Sequence, residues 1–185
     1  RNKTMTTWKI DAAHSEVNFK VKHLVVSTVR GNFDKFDATI ETNKEDFSDA
    51  VIKFEADINS INTKNEQRDA HLKSADFFDA ENHQKMIFQS ISVQKTSDYE
   101  MKVKGNLSLR GVTKEVTLDV IYNGTVSGFG DSTVAGFEVR GKINRFDFGL
   151  QWNAVTEAGG IVVSNEVKIE ILAEFNKVNE AVKAA

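Results

Sequence analysis

The sequence predicts an all-β fold, a sandwich or a barrel of about eight antiparallel strands. Three observations carry that prediction. Apolar residues alternate with polar ones along most of the chain, which is the period of a strand with one buried side. The 185 residues include 13 Phe but only 2 Tyr and 2 Trp, much aromatic surface without a polar handle, which suits a dry interior. Proline and cysteine are absent. Turns must therefore come from Gly, Asn and Asp, and disulfides, thiolate catalysis and thiolate metal ligation are excluded.

The elements follow in order. Val17, Phe19, Val21 and Val25 alternate with Asn18, Lys20 and Lys22, and His23 shares their parity. Phe36, Ala38 and Ile40 form a second run, and Ile52, Phe54, Ala56 and Ile58 a third. Ile87, Ile91 and Val93 alternate more weakly. Met101, Val103, Leu107 and Leu109 follow, then Val116, Leu118, Val120 and Tyr122. Phe137, Val139 and Ile143 precede a last run from Val167 to Phe175. Ser97-Asp98, Arg110-Gly111 and Asn123-Gly124 read as turns. Residues 65–78 break the alternation and read as a short helix, with Asn62 or Thr63 as cap and Glu66 closing a capping box. Asn43 to Ser48 reads as a single turn, and the tail from Asn176 as frayed or a short helix. A bulge is expected in VSTVRGNF, where the parity changes between Val25 and Phe36.

Length, the lack of a linker and the lack of repeats point to one domain over 5–178. Met5 reads as the initiator with Arg1 to Thr4 as a foreign remnant, which favours the cytoplasm. The alternative is an exported chain whose signal has been removed, which would make it periplasmic. A net charge of −3 gives no overall bias toward nucleic acid or an anionic membrane. No run approaches the roughly 20 apolar residues of a membrane span.

Asp11, His14 and Ser15 put an acid, an imidazole and a hydroxyl within five positions. Neighbours on a strand point to opposite faces, and no G-x-S-x-G elbow or oxyanion site accompanies them. They read as a local polar fastening before a strand rather than a triad, and no catalytic residue is assigned. His14, His23, His71 and His83 show no metal-ligand spacing, so neither metal nor cofactor is expected. GFGDST at 128–133 lacks the Lys of a phosphate loop and reads as a turn. Gly105 and Gly141 lie inside strands, as bends or as room beside a ligand, with the bend favoured.

Four blocks resemble the YceI-like proteins, a bacterial family of polyisoprenoid-binding, lipocalin-like barrels. They are WKIDAAHSEVNFKVKHLVVSTVRGNF at 8–33, INTKNEQRDAHLKSADFF at 61–78, KGNLSLRGVTKEVTLDV at 104–120 and GFEVRGKINRFDFGL at 136–150. They cover the chain nearly end to end. HQKM stands where the family often has Tyr-Pro before the strand of Phe88. The resemblance implies an extended eight-stranded antiparallel barrel with one or two short helices on its connections. It further implies an apolar interior that holds a long isoprenoid-type chain, no catalytic residues, and homodimers as a common state.

The expected function is therefore a carrier or reservoir for a polyprenyl or quinone-precursor lipid, with no nucleic acid partner and at most a transient membrane contact. Phe19, Val21, Phe36, Ile40 and Phe54 are expected in the wall on one part of the chain. Val103, Leu118, Val120, Phe137 and Phe175 are expected in the wall on the other. Arg145 and Asp147 are candidates for the polar end, with His23 and Arg68 behind them, against an even alternative that Arg145 and Asp147 form a structural ion pair. The rivals are an enzyme in a closed barrel using Asp11, His14 or His23, and a stress-related structural barrel without ligand.

Overall fold

The computed structural model describes residues 5–154 and 162–179. Among the described residues, eleven strands alternate with short connections. They are β1 (Thr6–Ile10), β2 (Glu16–His23), β3 (Ser27–Phe33), β4 (Phe36–Thr42), β5 (Val51–Asp57), β6 (Ile61–Asn62), β7 (Lys85–Lys95), β8 (Glu100–Leu109), β9 (Val112–Ser127), β10 (Thr133–Asn144) and β11 (Val163–Lys177). One helix, α1 (Glu66–Lys73), lies between β6 and β7.

The strands close on themselves. The order β1-β4-β5-β7-β8-β9-β10-β11 returns from β11 to β1, giving an eight-stranded antiparallel barrel. β2, β3 and β6 continue the wall upward. β11 is long enough, about 50 Å at ~3.3 Å per residue, to pair with β1 near its end (Ile10↔Phe175) and with β2 near its start (Val21↔Val167). β1 and β2 thus act as one broken strand along a single edge of β11.

Each strand follows its sequence pattern. β8 alternates exposed and buried residues from Glu100 to Leu107 without a fault. Arg110 and Gly111, with φ of 48° and 72°, make the two-residue loop between β8 and β9, as that dipeptide suggested. Where a single turn was expected at Asn43 to Ser48, two consecutive turns, closed by the Phe47 amide on the Lys44 carbonyl and the Ala50 amide on the Phe47 carbonyl, carry Phe47 into the lower end of the barrel, against Trp8, Tyr122 and Phe137. Asp49 takes hydrogen bonds from Thr42 Oγ1 and the Asn43 amide, and these hold its pKa below the usual carboxylate value.

Several expectations need correction. β1 and β3 went unread, because five and seven residues flanked by polar turns show too little alternation. Asn123-Gly124 is no turn. It lies inside β9, where Gly124 faces Gly136 and Tyr122 faces Phe137, so Asn123 is the extra residue of a bulge. VSTVRGNF holds no bulge. Its parity change is absorbed by the turn at 24–26, which leaves Val25 76% exposed rather than inside. Ile87 faces outward and Phe88 inward, and a bulge between Ser90 and Ser92 then shifts the parity so that Ile91 is exposed and Val93 packs on the core. The helix is shorter than 65–78, and Asn65 caps it by accepting from the Arg68 amide at 2.9 Å. Thr63 cannot cap, because Lys64 (φ 60°) turns the chain and Asp69 holds the buried Thr63 by both its amide and its hydroxyl. The tail is neither frayed nor helical at its start, since Asn176 and Lys177 pair with Lys9 and Trp8 in the strand that closes the barrel; 180–185 lies outside the described residues.

Gly105 and Gly141 work differently from a bend. A Cβ at Gly105 would lie 2.4 Å from Phe88 Cζ, and one at Gly141 would lie 2.5 Å from Leu118 Cδ2. The missing side chains let two large neighbours lie flat on the wall. Gly105→Val is expected to cost about 2 kcal/mol through overpacking, read as a lowered urea midpoint at unchanged slope.

Candidate ligand-binding cavity

The barrel encloses a cavity of about 220 Å³. Its walls are the inward halves of the alternating strands. Phe19 and Val21 of β2, Ile40 of β4 and Phe54 of β5 line one side. Val103, Leu118, Val120, Phe137 and Phe175 line the other, from β8, β9, β10 and β11. Among the described lining residues only Asn18 and Arg145 carry polar side chains.

Phe47 enters the lining from below, and Leu72, Phe77 and Phe78 from above. Sequence reading did not place these four in the wall, because they sit on turns and on the helix, outside any period-two run. The one available signal was the apolar set Leu72 and Phe78 within an otherwise charged segment.

Arg145 sits at the upper end of the cavity and is only 4% exposed. Asn144 caps the short 3-10 turn Arg145–Phe148, and left-handed Gly149 (φ 77°) ends it. That turn aims the guanidinium inward. Nε donates to the Ser164 carbonyl at 2.9 Å. Nη1 donates to the carbonyls of Leu150 at 2.6 Å and Trp152 at 2.8 Å, and Nη2 to that of Val163 at 3.2 Å. Phe146 lies under its plane, 4.7 Å from the guanidinium carbon. Burial lowers its pKa from the ordinary guanidinium value, yet an Arg stays charged in proteins. No carboxylate among the described residues pairs with it.

The other polar-end candidates are not in the cavity. Asp147 is exposed, because the 3-10 turn sends it away from Arg145, so the two form no ion pair. His23 ends β2, half-buried and paired with Ser27 and Val163, and is not among the lining residues although Val163 is. Arg68 lies outside on α1 and donates to the Thr63 hydroxyl and carbonyl, each at 2.8 Å. Phe36 packs on the core without reaching the cavity.

Asp11, His14 and Ser15 lie in the wall where β1 breaks from β2, not in the cavity. Asp11 accepts from the Ala13 amide at 3.1 Å and bonds His14 Nδ1 at 2.8 Å. Ser15 Oγ receives the Glu174 amide at 3.0 Å, tying the break to β11. Asp11, His14 and Glu174 offer three ligand atoms within 4.8 Å of one another; a hydrogen bond joins Asp11 to His14, and the Glu174 carboxylate stands 3.9 Å from His14 Nδ1.

The geometry agrees with what the chain is similar to. A YceI-like domain model matches residues 8–175. The chain belongs to the YceI-like family. A UPF0312 protein of Staphylococcus aureus (strain N315) is 45% identical over 175 residues, covering 93% of this chain and 98% of that protein. The Campylobacter jejuni YCEI protein superposes with a TM-score of 0.73 at 32% identity, over 91% of this chain and 96% of that one. Burkholderia cenocepacia BcnA shares the fold at a TM-score of 0.78 and 20% identity, over 89% and 98% of the two chains. A Saccharophagus degradans domain described as polyisoprenoid-binding shares it at 0.62 and 17%, over 92% and 98%.

Two outcomes test the site's construction. Arg145→Met takes the donor from the carbonyls of Leu150, Trp152 and Ser164, while that of Val163 keeps Asn153 Nδ2 at 2.8 Å, and is expected to cost about 3 kcal/mol, read by urea unfolding. The clamp at the strand break has a pH window. His14 is raised by its hydrogen bond to Asp11, so its contribution is complete below 6.5 and fades as pH rises through the raised value. Asp11 is lowered by the same bond, so its contribution is complete above 3.8 and fades as pH falls through the lowered value. The pair therefore favours folding most between 3.8 and 6.5. In Asp11→Asn the His14 midpoint, followed by NMR, is expected to fall.

Proposed function

We propose that the protein is a binding protein that sequesters a long-chain isoprenoid-type lipid, such as a polyprenyl or quinone precursor, inside the barrel. The observation that carries this reading is a closed wall whose lining, among the described residues, is apolar except for Asn18 and the buried cation Arg145. Burying prenyl surface there is favoured by roughly 25 cal/mol per Å². The fold is shared with the polyisoprenoid-binding Saccharophagus degradans domain. The open space of about 220 Å³ is below the ~300–1,000 Å³ of drug-sized sites. A long chain therefore enters by widening the cavity, and Met86 and Met101 are its most deformable walls.

Arg145 marks the polar end. Its charge favours a headgroup with negative or strongly dipolar oxygen, although four carbonyls already take its hydrogen bonds. Carriage rather than conversion is supported by the lining. Among its described residues there is no carboxylate, imidazole or hydroxyl to act as base or nucleophile.

Mass spectrometry of an organic extract of the purified protein is expected to show a co-purifying prenyl lipid, or uptake of an added one at near-unit stoichiometry. Val103→Trp, which fills the lining, is expected to cut uptake at least ten-fold while far-UV circular dichroism stays native. A barrel that takes up no prenyl lipid, or a Val103→Trp protein that binds as well as the parent, would sink the reading. Conversion of the lipid, lost in His14→Ala or His23→Ala, would establish the enzyme instead.

A further inference from the structure

The turn joining β2 to β3 is built against its own chemistry. The Val26 amide donates to the His23 carbonyl at 3.3 Å, and the two central residues, Leu24 and Val25, have φ of 51° and 66°. Such a turn favours Asn and Gly, and a β-branched residue there is strained. Val25 and Val26 gain little packing from the protein in exchange, and Leu24 is only partly covered. Leu24, Val25 and Val26 are 41%, 76% and 85% exposed, three adjacent apolar residues at the tip of a hairpin.

Below that tip the outer wall is cationic. Lys142, Lys168, Lys20 and Arg30 lie directly opposite one another across four neighbouring strands, β10, β11, β2 and β3. Like charges placed so repel one another. None of the four makes an ion pair or a side-chain hydrogen bond among the described residues, and Lys22, next to the tip, reaches only Thr28. Glu166 and Glu170 are the nearby acids on β11, one on either side of this row. Lys20, Arg30, Lys168 and Lys64 also border one shallow outer depression, shared with Glu170.

We propose that this end of the barrel docks on an anionic lipid surface, with Leu24, Val25 and Val26 inserted and the cations of the outer wall facing the headgroups. At ~3.3 Å per residue, Lys22 and Lys20 lie about 7 and 13 Å back from Leu24. A tip buried ~5–10 Å deep therefore brings them to headgroup level. The net charge of −3 hides this local excess. Docking would put one end of the cavity at the membrane. The Leu24 amide donates to the Val162 carbonyl at 2.9 Å, and the next residue, Val163, lines the cavity beside Arg145. The inference goes beyond lipid carriage, since docking does not need an occupied barrel.

Flotation with vesicles of phosphatidylcholine containing 30% phosphatidylglycerol tests it, with pure phosphatidylcholine as the comparison. Binding is expected to the anionic vesicles and to be lost at high salt. Lys20→Glu with Lys168→Glu should weaken it more than ten-fold, at about five-fold per cation removed. Leu24→Asn with Val25→Gly separates docking from folding. It relieves the strained turn, so the melting temperature should rise while vesicle binding falls at least ten-fold. No binding to anionic vesicles, or binding unchanged in both variants, overturns the proposal. So does a concentration-dependent dimer in sedimentation velocity that the Asn-Gly variant abolishes, because the tip then seals against a second copy. Prenyl-lipid uptake measured on the same variants without vesicles reports on carriage alone.

Discussion

The constraint on which the rest of the structure depends is the pairing of β11 with two strands on one edge. β1 takes its last residues and β2 its first, so one long strand closes the ring and also carries the wall past it. A sheet that closes leaves no edge there for another chain to pair with. Closure also decides what the interior can be. Once every inward residue faces another inward residue, the alternation of each strand becomes a continuous apolar lining, and a central space remains where the side chains do not meet.

That dependence gives meaning to the polar stretch at the break. Asp11, His14 and Ser15 would suggest chemistry if read as a list. In the barrel they bridge the discontinuity between β1 and β2, with Asp11 turning the chain, His14 steadying Asp11, and Ser15 gripping the backbone of Glu174. A break in a barrel wall exposes backbone groups, and such groups need partners. Residues with short polar side chains supply them. The same economy holds at the lower end, where Thr42 and Asp49 hold the turn that drives Phe47 into the barrel.

Strand-like alternation was legible over the long in-register stretches of β8, β9 and β11. Val103, Leu118, Val120 and Phe175 come from such runs, and the structure places all four in the cavity lining. Legibility failed where geometry was set by the partner strand. The bulges at Ser90–Ser92 and opposite Gly136 change which residues face inward without any local mark in composition. It failed also at the caps of the barrel. Phe47, Phe77 and Leu72 reach the cavity from turns and a helix, and no periodicity announces a side chain that enters from the end. His23 shows the limit of parity itself, for its cross-strand partner Val163 lines the cavity and His23 does not.

Arg145 shows how far residue type alone can mislead. A cation among apolar residues suggests a headgroup ligand, and an acid two positions away suggests an ion pair. The 3-10 turn removes the second possibility by sending Asp147 outward. The carbonyls of Leu150, Trp152, Val163 and Ser164 weaken the first, since four of the five donors are already engaged. Those bonds fasten the segment after Gly149 to the start of β11, which is a structural task. What they leave unmatched is the charge. Carbonyl dipoles offset part of the cost of desolvating a guanidinium, whereas a carboxylate would neutralise it. An apolar chamber with one buried positive charge at its end therefore keeps a directional field along its length. A ligand whose tail is apolar and whose head carries negative oxygen is the kind of molecule for which both features are favourable at once.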